Sequence, residues 1–215
     1  IYTGEDTLSL HDALPISHPD RKMDDIKDTA AMRQAAILEA AKEVFKRYGF
    51  RKTSMDDLAR AAGLSRQGLY LHFPNKQALF KAMVMQMIEA MRSNTRDALA
   101  RQDARIDGRI LEAFDAMFSE GIGSENLDEL FTAMLEMVGM AAFRETENEF
   151  ASDLAEALQS AGVAALWKKA GVSALDLAGL LFAASDGIKR RAETPDEYRD
   201  RMRVAIRIVC HGIPD

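Results

Sequence analysis

The sequence predicts an all-α protein, with a small N-terminal group of helices followed by a larger helical part. Apolar residues recur with the 3.6-residue period of a helix along most of the chain. Residues that cap or stop helices separate these periodic stretches. No run of alternating β-branched residues predicts a strand. These observations exclude a β or α/β architecture.

The composition of the 215 residues excludes several classes of protein. Cys210 is the only cysteine, so no disulfide can form within the chain, and a reducing cytoplasm is expected. The four histidines and this cysteine lack the spacing of metal ligands, so we predict no metal and no cofactor. No apolar run approaches the ~20 residues that cross a bilayer. We therefore expect a globular protein without a membrane segment.

The first 22 residues are set apart from the fold. The stretch from Asp6 to Ile16 resembles translated sequencing-adapter text, and Met23 is the nearest candidate start. The segment lacks the basic and apolar regions of a secretory signal. We expect residues 1–22 to be a non-native leader, with a genuine disordered arm as the alternative.

Charge is distributed unevenly along the chain. Residues 33–82 carry ten basic and four acidic side chains, a net charge of +6, whereas the whole chain has −6. A compact basic block in an acidic chain is typical of a module that binds a polyanion. A solvated basic surface is the alternative.

Four helices are predicted in this basic segment. The first has an apolar stripe from Ile37 to Tyr48 and stops at Gly49. Ser54, Ser65 and Asn75 are placed to cap the next three, and Asp57 completes a capping-box spacing with Ser54.

The second and third of these helices have the spacing of a helix-turn-helix. Such a motif needs a small residue where the helices cross, a glycine in the turn and an apolar residue in the second helix. Ala59, Gly63 and Leu69 meet these needs in order. The pattern also occurs by chance in alanine-rich helices, but the caps and the charge block strengthen it.

Six short motifs extend this pattern over about 50 residues. They are Ile37-Leu38-x-Ala40-Ala41-x-x-x-Phe45, Gly49-Phe50-x-x-Thr53-Ser54-Met55, Asp57-Leu58-Ala59, Ala62-Gly63-Leu64-Ser65, Gly68-Leu69-Tyr70-x-His72-Phe73 and Asn75-Lys76-x-x-Leu79. Together they resemble the N-terminal DNA-binding domain of the TetR/AcrR family of bacterial transcriptional regulators. The resemblance implies a three-helix DNA-binding domain at 33–82, joined to a helical effector-binding and dimerisation domain at 83–215.

The helix that begins after Ser65 is the predicted recognition helix, because its first residues would enter a major groove. Arg66 can donate two hydrogen bonds to guanine, and Gln67 can pair with adenine. Gly68 allows close approach of the backbone. A phosphate contact is the alternative for Arg66.

The resemblance also implies contacts to the DNA backbone from Thr53, Tyr70, His72 and Lys76. Lys76 lies in the first turn of its helix, where an anion is already favoured. Tyr70 could instead pack against the fourth helix, and His72 could be a structural residue beside Phe73.

The larger segment is predicted to be entirely helical. The helices are expected near 76–103, 107–120, 125–141, 144–160, 164–170, 174–192 and 196–211. Eight apolar side chains could line a deformable ligand pocket, which the resemblance favours, although such residues are also ordinary core. They are Phe114, Met117, Phe118, Phe131, Met134, Met137, Phe143 and Trp167.

The last two long helices are predicted to form a dimer interface. Gly179, Ala183 and Gly187 recur every four residues and leave a groove for another helix. Met202, Ala205 and Val209 are the corresponding apolar positions of the last helix. Two such helices from each subunit would form the four-helix bundle of the resembled family. Packing of these faces within one chain is the alternative.

The sequence thus predicts a homodimeric regulator that binds double-stranded DNA at a palindromic operator. We expect a repressor that a small apolar effector releases from the operator. An activator of transcription is the less favoured alternative. An all-helical enzyme is the first competing hypothesis, but no catalytic constellation supports it. A module that binds an acidic protein partner is the second.

Overall fold

A computed structural model of the protein describes residues 19–118, 122 and 126–211, with side chains from residue 30 onward. The predicted leader, residues 1–22, lies almost entirely outside the described residues. The described helices are α1 (Pro19–Lys52), α2 (Met55–Ala61), α3 (Arg66–His72), α4 (Lys76–Ala100), α5 (Ile106–Phe118), α6 (Leu127–Val138), α7 (Met140–Ser160), α8 (Val163–Leu166), α9 (Ala174–Lys189) and α10 (Pro195–His211). A 3₁₀ turn at Lys168–Ala170 follows α8. The described residues contain no strand, which confirms the all-α prediction.

The chain divides into two units after Ala36. Of the first unit, the structure describes the helical residues 19–36 of α1. The second unit, Ile37–Asp215, contains the remainder of α1 and the helices α2 to α10.

The helix boundaries in the N-terminal half follow the predicted signals. Gly49 interrupts α1 with φ of 77°, a conformation that favours glycine. Ser54 forms a complete capping box with Asp57 at the start of α2. Ser65 caps α3 and Asn75 caps α4 through side-chain bonds to backbone N–H groups.

Helices α1 to α4 share an apolar core, and α6 contributes to it as well. Phe45 and Phe50 both contact the ring of Phe80, each with centroids 4.9 Å apart. Leu130 and Ala133 of α6 are buried in the same core. The basic N-terminal helices therefore complete their core with a helix from the larger segment.

A second core is formed by α5, α7, α9 and α10 together with the end of α4. Two hydrogen bonds join polar groups within it: the Tyr198 and Ser185 hydroxyls are 2.8 Å apart, and Trp167 donates to the Val209 carbonyl. Helix α4 runs through both cores, since its first half packs with α1 to α3 and Leu99 belongs to the second core.

Several predicted helix ends in the larger segment differ from the structure. Helix α4 ends at Ala100 and α9 at Lys189, each three residues early, and the helix predicted at 164–170 divides into α8 and the 3₁₀ turn. The largest difference lies between α6 and α7. The sequence placed a break near residues 141–144, whereas α6 ends at Val138 and α7 begins at Met140. Gly139 separates them with φ of 87°. Apolar residues continue at helical spacing on both sides of this glycine, so the periodicity alone did not reveal the break.

Candidate nucleic-acid interface

The helix-turn-helix has the geometry that its spacing predicts. Ala59 is buried where α2 meets the turn, and its carbonyl accepts the Leu64 N–H at 2.9 Å. Gly63 has φ of 66°, so the turn uses the conformational freedom of glycine. Leu69 is fully buried and fixes α3 on the core. Because Leu69 holds one face of α3 against the core, most of the other residues of this helix are exposed.

The predicted base-reading residues lie at the start of α3. Ser65 accepts a hydrogen bond from the Gly68 N–H at 3.0 Å, which sets the first turn of the helix. Arg66 and Gln67 are exposed on this turn, and Gly68 is partly buried. A helix placed in this way can present Arg66 and Gln67 to base edges.

Arg66 is held by two neighbours. Its Nη1 lies 3.0 Å from Oδ2 of Asp56 on α2. Its guanidinium carbon lies 5.7 Å from the centre of the Tyr70 ring, within the range of a cation–π contact. A hydrogen bond with the Tyr70 side chain and the charge of Asp56 raise the pKa of Arg66. Sequence reasoning did not identify Asp56.

The four residues for which backbone contacts were predicted fall into two groups. Tyr70 and His72 are exposed on α3, as a contact to DNA requires. Thr53 is buried, and its hydroxyl donates to the Gly49 carbonyl at 2.7 Å. Lys76 is partly buried, and its ammonium binds backbone carbonyls. The structure therefore does not bring the four side chains to one surface.

The Lys76 ammonium is directed at residues 49–54, here called the loop that precedes the helix-turn-helix, which comprise the Gly49 kink, the last residues of α1 and the two residues before α2. It donates to the carbonyls of Phe50 and Thr53, both at 2.8 Å, and to that of Arg51 at 3.4 Å. It also lies 4.4 Å from the centre of the Phe50 ring. Burial lowers the pKa of Lys76, and the charge of Glu129 partly opposes this shift. The side chain thus fixes the loop that precedes the helix-turn-helix.

Two residues at the start of α6 bind the same region from the other side. Asn126 donates to the carbonyls of Lys46 and Arg47 at 3.0 and 3.1 Å. Glu129 accepts the Arg51 N–H at 2.7 Å. Sequence reasoning missed both, because their partners are backbone groups nearly 80 residues away.

The predicted pocket residues are divided between the two cores. Phe114, Met117, Phe118 and Trp167 pack with α7, α9 and α10. Met134, Met137 and Phe143 pack against the core of α1 to α4, and Phe131 is exposed beside Phe143. The eight side chains therefore do not line one cavity, because α6 lies on the N-terminal core.

The aromatic side chains of the second core contact one another directly. Phe114, Phe150 and Phe182 have centroid separations of 5.1–5.5 Å, and Phe118 lies 6.0–6.1 Å from two of them. An open cleft of about 1410 Å³ occurs elsewhere, where α1 and α2 face the end of α5 and the start of α10. Polar and charged residues line most of this cleft, unlike the apolar pocket that the sequence predicted.

The predicted interface residues also separate. Gly179, Ala183 and Gly187 lie on an exposed stripe of α9. Met202 and Val209 are 0% and 2% exposed and pack inside their own chain. For these two residues the structure follows the alternative of packing within one chain. The exposed apolar residues of the two helices are Leu175, Leu180, Val204 and Ile208.

Within the part of the chain that the structure describes, no three His, Cys, Asp or Glu side chains are placed to share a metal ion. None of the helices in the described ranges combines the length and apolarity needed to cross a membrane.

Comparison with known proteins identifies the class of the N-terminal helices. Residues 37–83 match the family described as "Bacterial regulatory proteins, tetR family". The HTH-type transcriptional regulator YfiR of Bacillus subtilis is 47% identical over 58 residues, which are 27% of this chain and 28% of that protein. The regulator TtgR of Pseudomonas putida is 37% identical over 75 residues, or 35% and 33% of the two chains. The chain thus spans about a third or less of these two relatives.

A solved structure extends the likeness in fold. The TetR family transcriptional regulator PfmR of Thermus thermophilus superimposes with a TM-score of 0.55 and 20% identity, over 83% of this chain and 99% of that one. The two relatives and this structural neighbour are all described as transcriptional regulators. Residues 37–83 thus match the N-terminal segment of TetR-family regulators, as the motifs predicted.

Proposed function

We propose that this protein is a homodimeric repressor that binds a palindromic DNA operator through α3 and is released by a small apolar ligand. The observation that carries this proposal is the exposed first turn of α3, where Arg66 and Gln67 project from a helix anchored by the buried Leu69. In this proposal residues 33–82 form the DNA-binding domain, and residues 83–215 form the effector-binding and dimerisation domain. Such a protein would act in the bacterial cytoplasm, where the operator DNA lies.

Contacts to the DNA backbone come from exposed polar and basic side chains on and near α3. Tyr70 and His72 are exposed on α3 itself, and Arg51 and Lys52 are exposed on the adjoining loop. Arg and Lys neutralise phosphates and give affinity that falls as salt rises. Thr53 and Lys76 support these contacts by fixing the loop, since their polar groups already bind its carbonyls.

The dimer interface proposed here is formed by α9 and α10 of two copies. Leu180 is 57% exposed beside the small-residue stripe of α9, and Val204 and Ile208 are 59% and 57% exposed on α10. Large apolar side chains concentrated on two adjacent helices favour burial against a partner. Val204 and Ile208 take the place of Met202 and Val209 in the interface that the sequence predicted. To bind a palindromic operator, such a dimer would have to hold its two α3 helices about 34–36 Å apart, one turn of DNA.

The effector site is proposed within the aromatic cluster of Phe114, Phe118, Phe150 and Phe182. These rings occupy the core between α5, α7 and α9, and Met117 lies beside them. An apolar ligand would have to displace one or more rings, which would shift α5 and, through it, α4. Because α4 also belongs to the core of α1 to α3, this movement would reach the DNA-binding domain. A coupling of about 1–3 kcal/mol would change DNA affinity roughly 5–150-fold.

The proposal is tested by binding-site selection from random duplexes, followed by titration of the selected DNA with increasing salt. We expect a palindromic site, a salt slope of roughly −0.9 for each phosphate contacted, and weaker base preference in Arg66→Ala and Gln67→Ala. Lys169→Ala, an exposed cation beyond α8, is the control and should bind like the unaltered protein. Selection of no sequence would contradict the proposal. Capture of an acidic protein without DNA binding would favour the protein-interaction alternative.

A further inference from the structure

We propose that Asp56 is a positioning residue that determines base specificity, because it holds Arg66 in place for a guanine. This inference rests on the proposed DNA-binding function and assigns a role to a residue outside the recognition helix. Asp56 lies in the first turn of α2, ten residues before Arg66. It does not need to contact DNA in order to act.

The geometry fixes one edge of the guanidinium. Asp56 Oδ2 accepts from Nη1 of Arg66 at 3.0 Å, and the Tyr70 ring lies alongside, 5.7 Å from the guanidinium carbon. The pair uses Nη1, and the edge formed by Nε and Nη2 has the fork geometry that matches O6 and N7 of guanine. A guanidinium supported in this way loses less rotamer entropy when it binds a base.

Stability does not account for the pair. The two side chains are 60% and 51% exposed, and exposed ion pairs add little to folding free energy. The capping role at this helix start belongs to Asp57, which bonds the backbone and side chain of Ser54. The contact that the Asp56 carboxylate makes is with Arg66. Its geometry therefore points to the orientation of that arginine.

The charge of Asp56 also opposes a competing use of Arg66. Arg51, Lys52 and Arg60, all within five residues of Asp56 in the sequence, are exposed cations that would attract the DNA backbone. An arginine released among them would bind the nearest phosphate, which carries no sequence information. A carboxylate beside Arg66 repels phosphates and keeps the guanidinium at the base-facing start of α3. Asp56 thus lowers non-specific affinity while it favours the specific complex.

The test compares the unaltered dimer with Asp56→Asn, Arg66→Ala and the double variant, all on the selected operator and on random DNA. Asp56→Asn should lower the ratio of specific to non-specific affinity by at least about fivefold, the smaller end of one base contact. It should also steepen the salt slope by about 0.9, since the freed arginine gains a phosphate. The double variant should have the specificity of Arg66→Ala alone, because Asp56 acts through Arg66.

Asp128→Asn is the matched control, since Asp128 is an exposed carboxylate in the first turn of α6. Thermal unfolding of each variant separates specificity from folding, and Asp56→Glu tests rescue by a retained charge. An Asp56→Asn protein with lower melting temperature but unchanged base preference would overturn the inference, because Asp56 would then only stabilise α2. An unchanged preference in both Asp56→Asn and Arg66→Ala would overturn it as well. Failure of the unaltered protein to select DNA would instead contradict the proposed function, and this inference with it.

Discussion

The Glu129 carboxylate accepts the backbone N–H of Arg51 at 2.7 Å, joining α6 to the loop that precedes the helix-turn-helix. Asn126, three residues earlier, donates to the carbonyls of Lys46 and Arg47 in α1. Because Leu130 of the same helix is buried in the N-terminal core, α6 is both bonded and packed to the DNA-binding helices. Loss of this contact should therefore shift α2 and α3 relative to α6.

Gly49→Ala should destabilise the protein. The residue has φ of 77°, and an added Cβ would lie 2.7 Å from Oε2 of Glu129. Backbone strain and the clash together should lower the free energy of unfolding by about 1–3 kcal/mol. Urea denaturation measures the loss. Gly108→Ala is the control, because its added Cβ would project into open space and a helical alanine is favoured by up to about 1 kcal/mol. Equal stability of the two variants would contradict this interpretation.

Lys76→Met should lower stability without reducing the salt dependence of DNA binding. The methionine keeps the apolar stem but leaves the carbonyls of Phe50 and Thr53 without their donor. We expect a loss of about 1–3 kcal/mol in unfolding free energy. Lys81→Met removes an exposed charge from α4 and should leave stability unchanged. A salt slope reduced by about 0.9 in Lys76→Met would show that this ammonium binds a phosphate after all.

Stability should fall in alkaline solution through Tyr198. Burial raises the pKa of Tyr198 to about 12, above the usual value of 10.0. The unfolded chain therefore loses this proton first, and the stabilisation present below pH 10 is lost as pH rises towards 12, at up to about 1.4 kcal/mol per pH unit. Urea denaturation of Tyr198→Phe between pH 8 and 11 should show a shallower fall. A double variant, Tyr198→Phe with Ser185→Ala, also lacks the Ser185 hydroxyl that Tyr198→Phe alone leaves unpaired. An identical pH dependence in all three proteins would refute this assignment.

Leu180→Glu and Ile208→Glu should convert the dimer to monomers. Each places a charge in the proposed apolar interface, where burial without a partner is costly. Light scattering coupled to gel filtration measures the mass. Operator affinity should also fall, because a monomer presents only one α3 to the DNA. Leu166→Glu is the control, since Leu166 on α8 is also 57% exposed. A dimeric Leu180→Glu protein would place the interface elsewhere.

Local sequence patterns determined the helical fold and the helix-turn-helix. Ser54, Ser65 and Asn75 cap the helices that they predict, and Gly63 has the positive φ that the turn needs. Caps and glycine conformations depend on neighbours within a few residues, so a single sequence reveals them. The match of residues 37–83 to the TetR-family model involves the same residues.

Only the tertiary structure decided which side chains share a surface. It placed α6 on the N-terminal core, which divides the predicted pocket residues, and it buried Met202 and Val209 while exposing Val204 and Ile208. It also joined Asp56 to Arg66, and Glu129 to Arg51 across 78 positions of the chain. Helical periodicity shows that a face is apolar but not which neighbour covers it, because that choice depends on the packing of all the helices together.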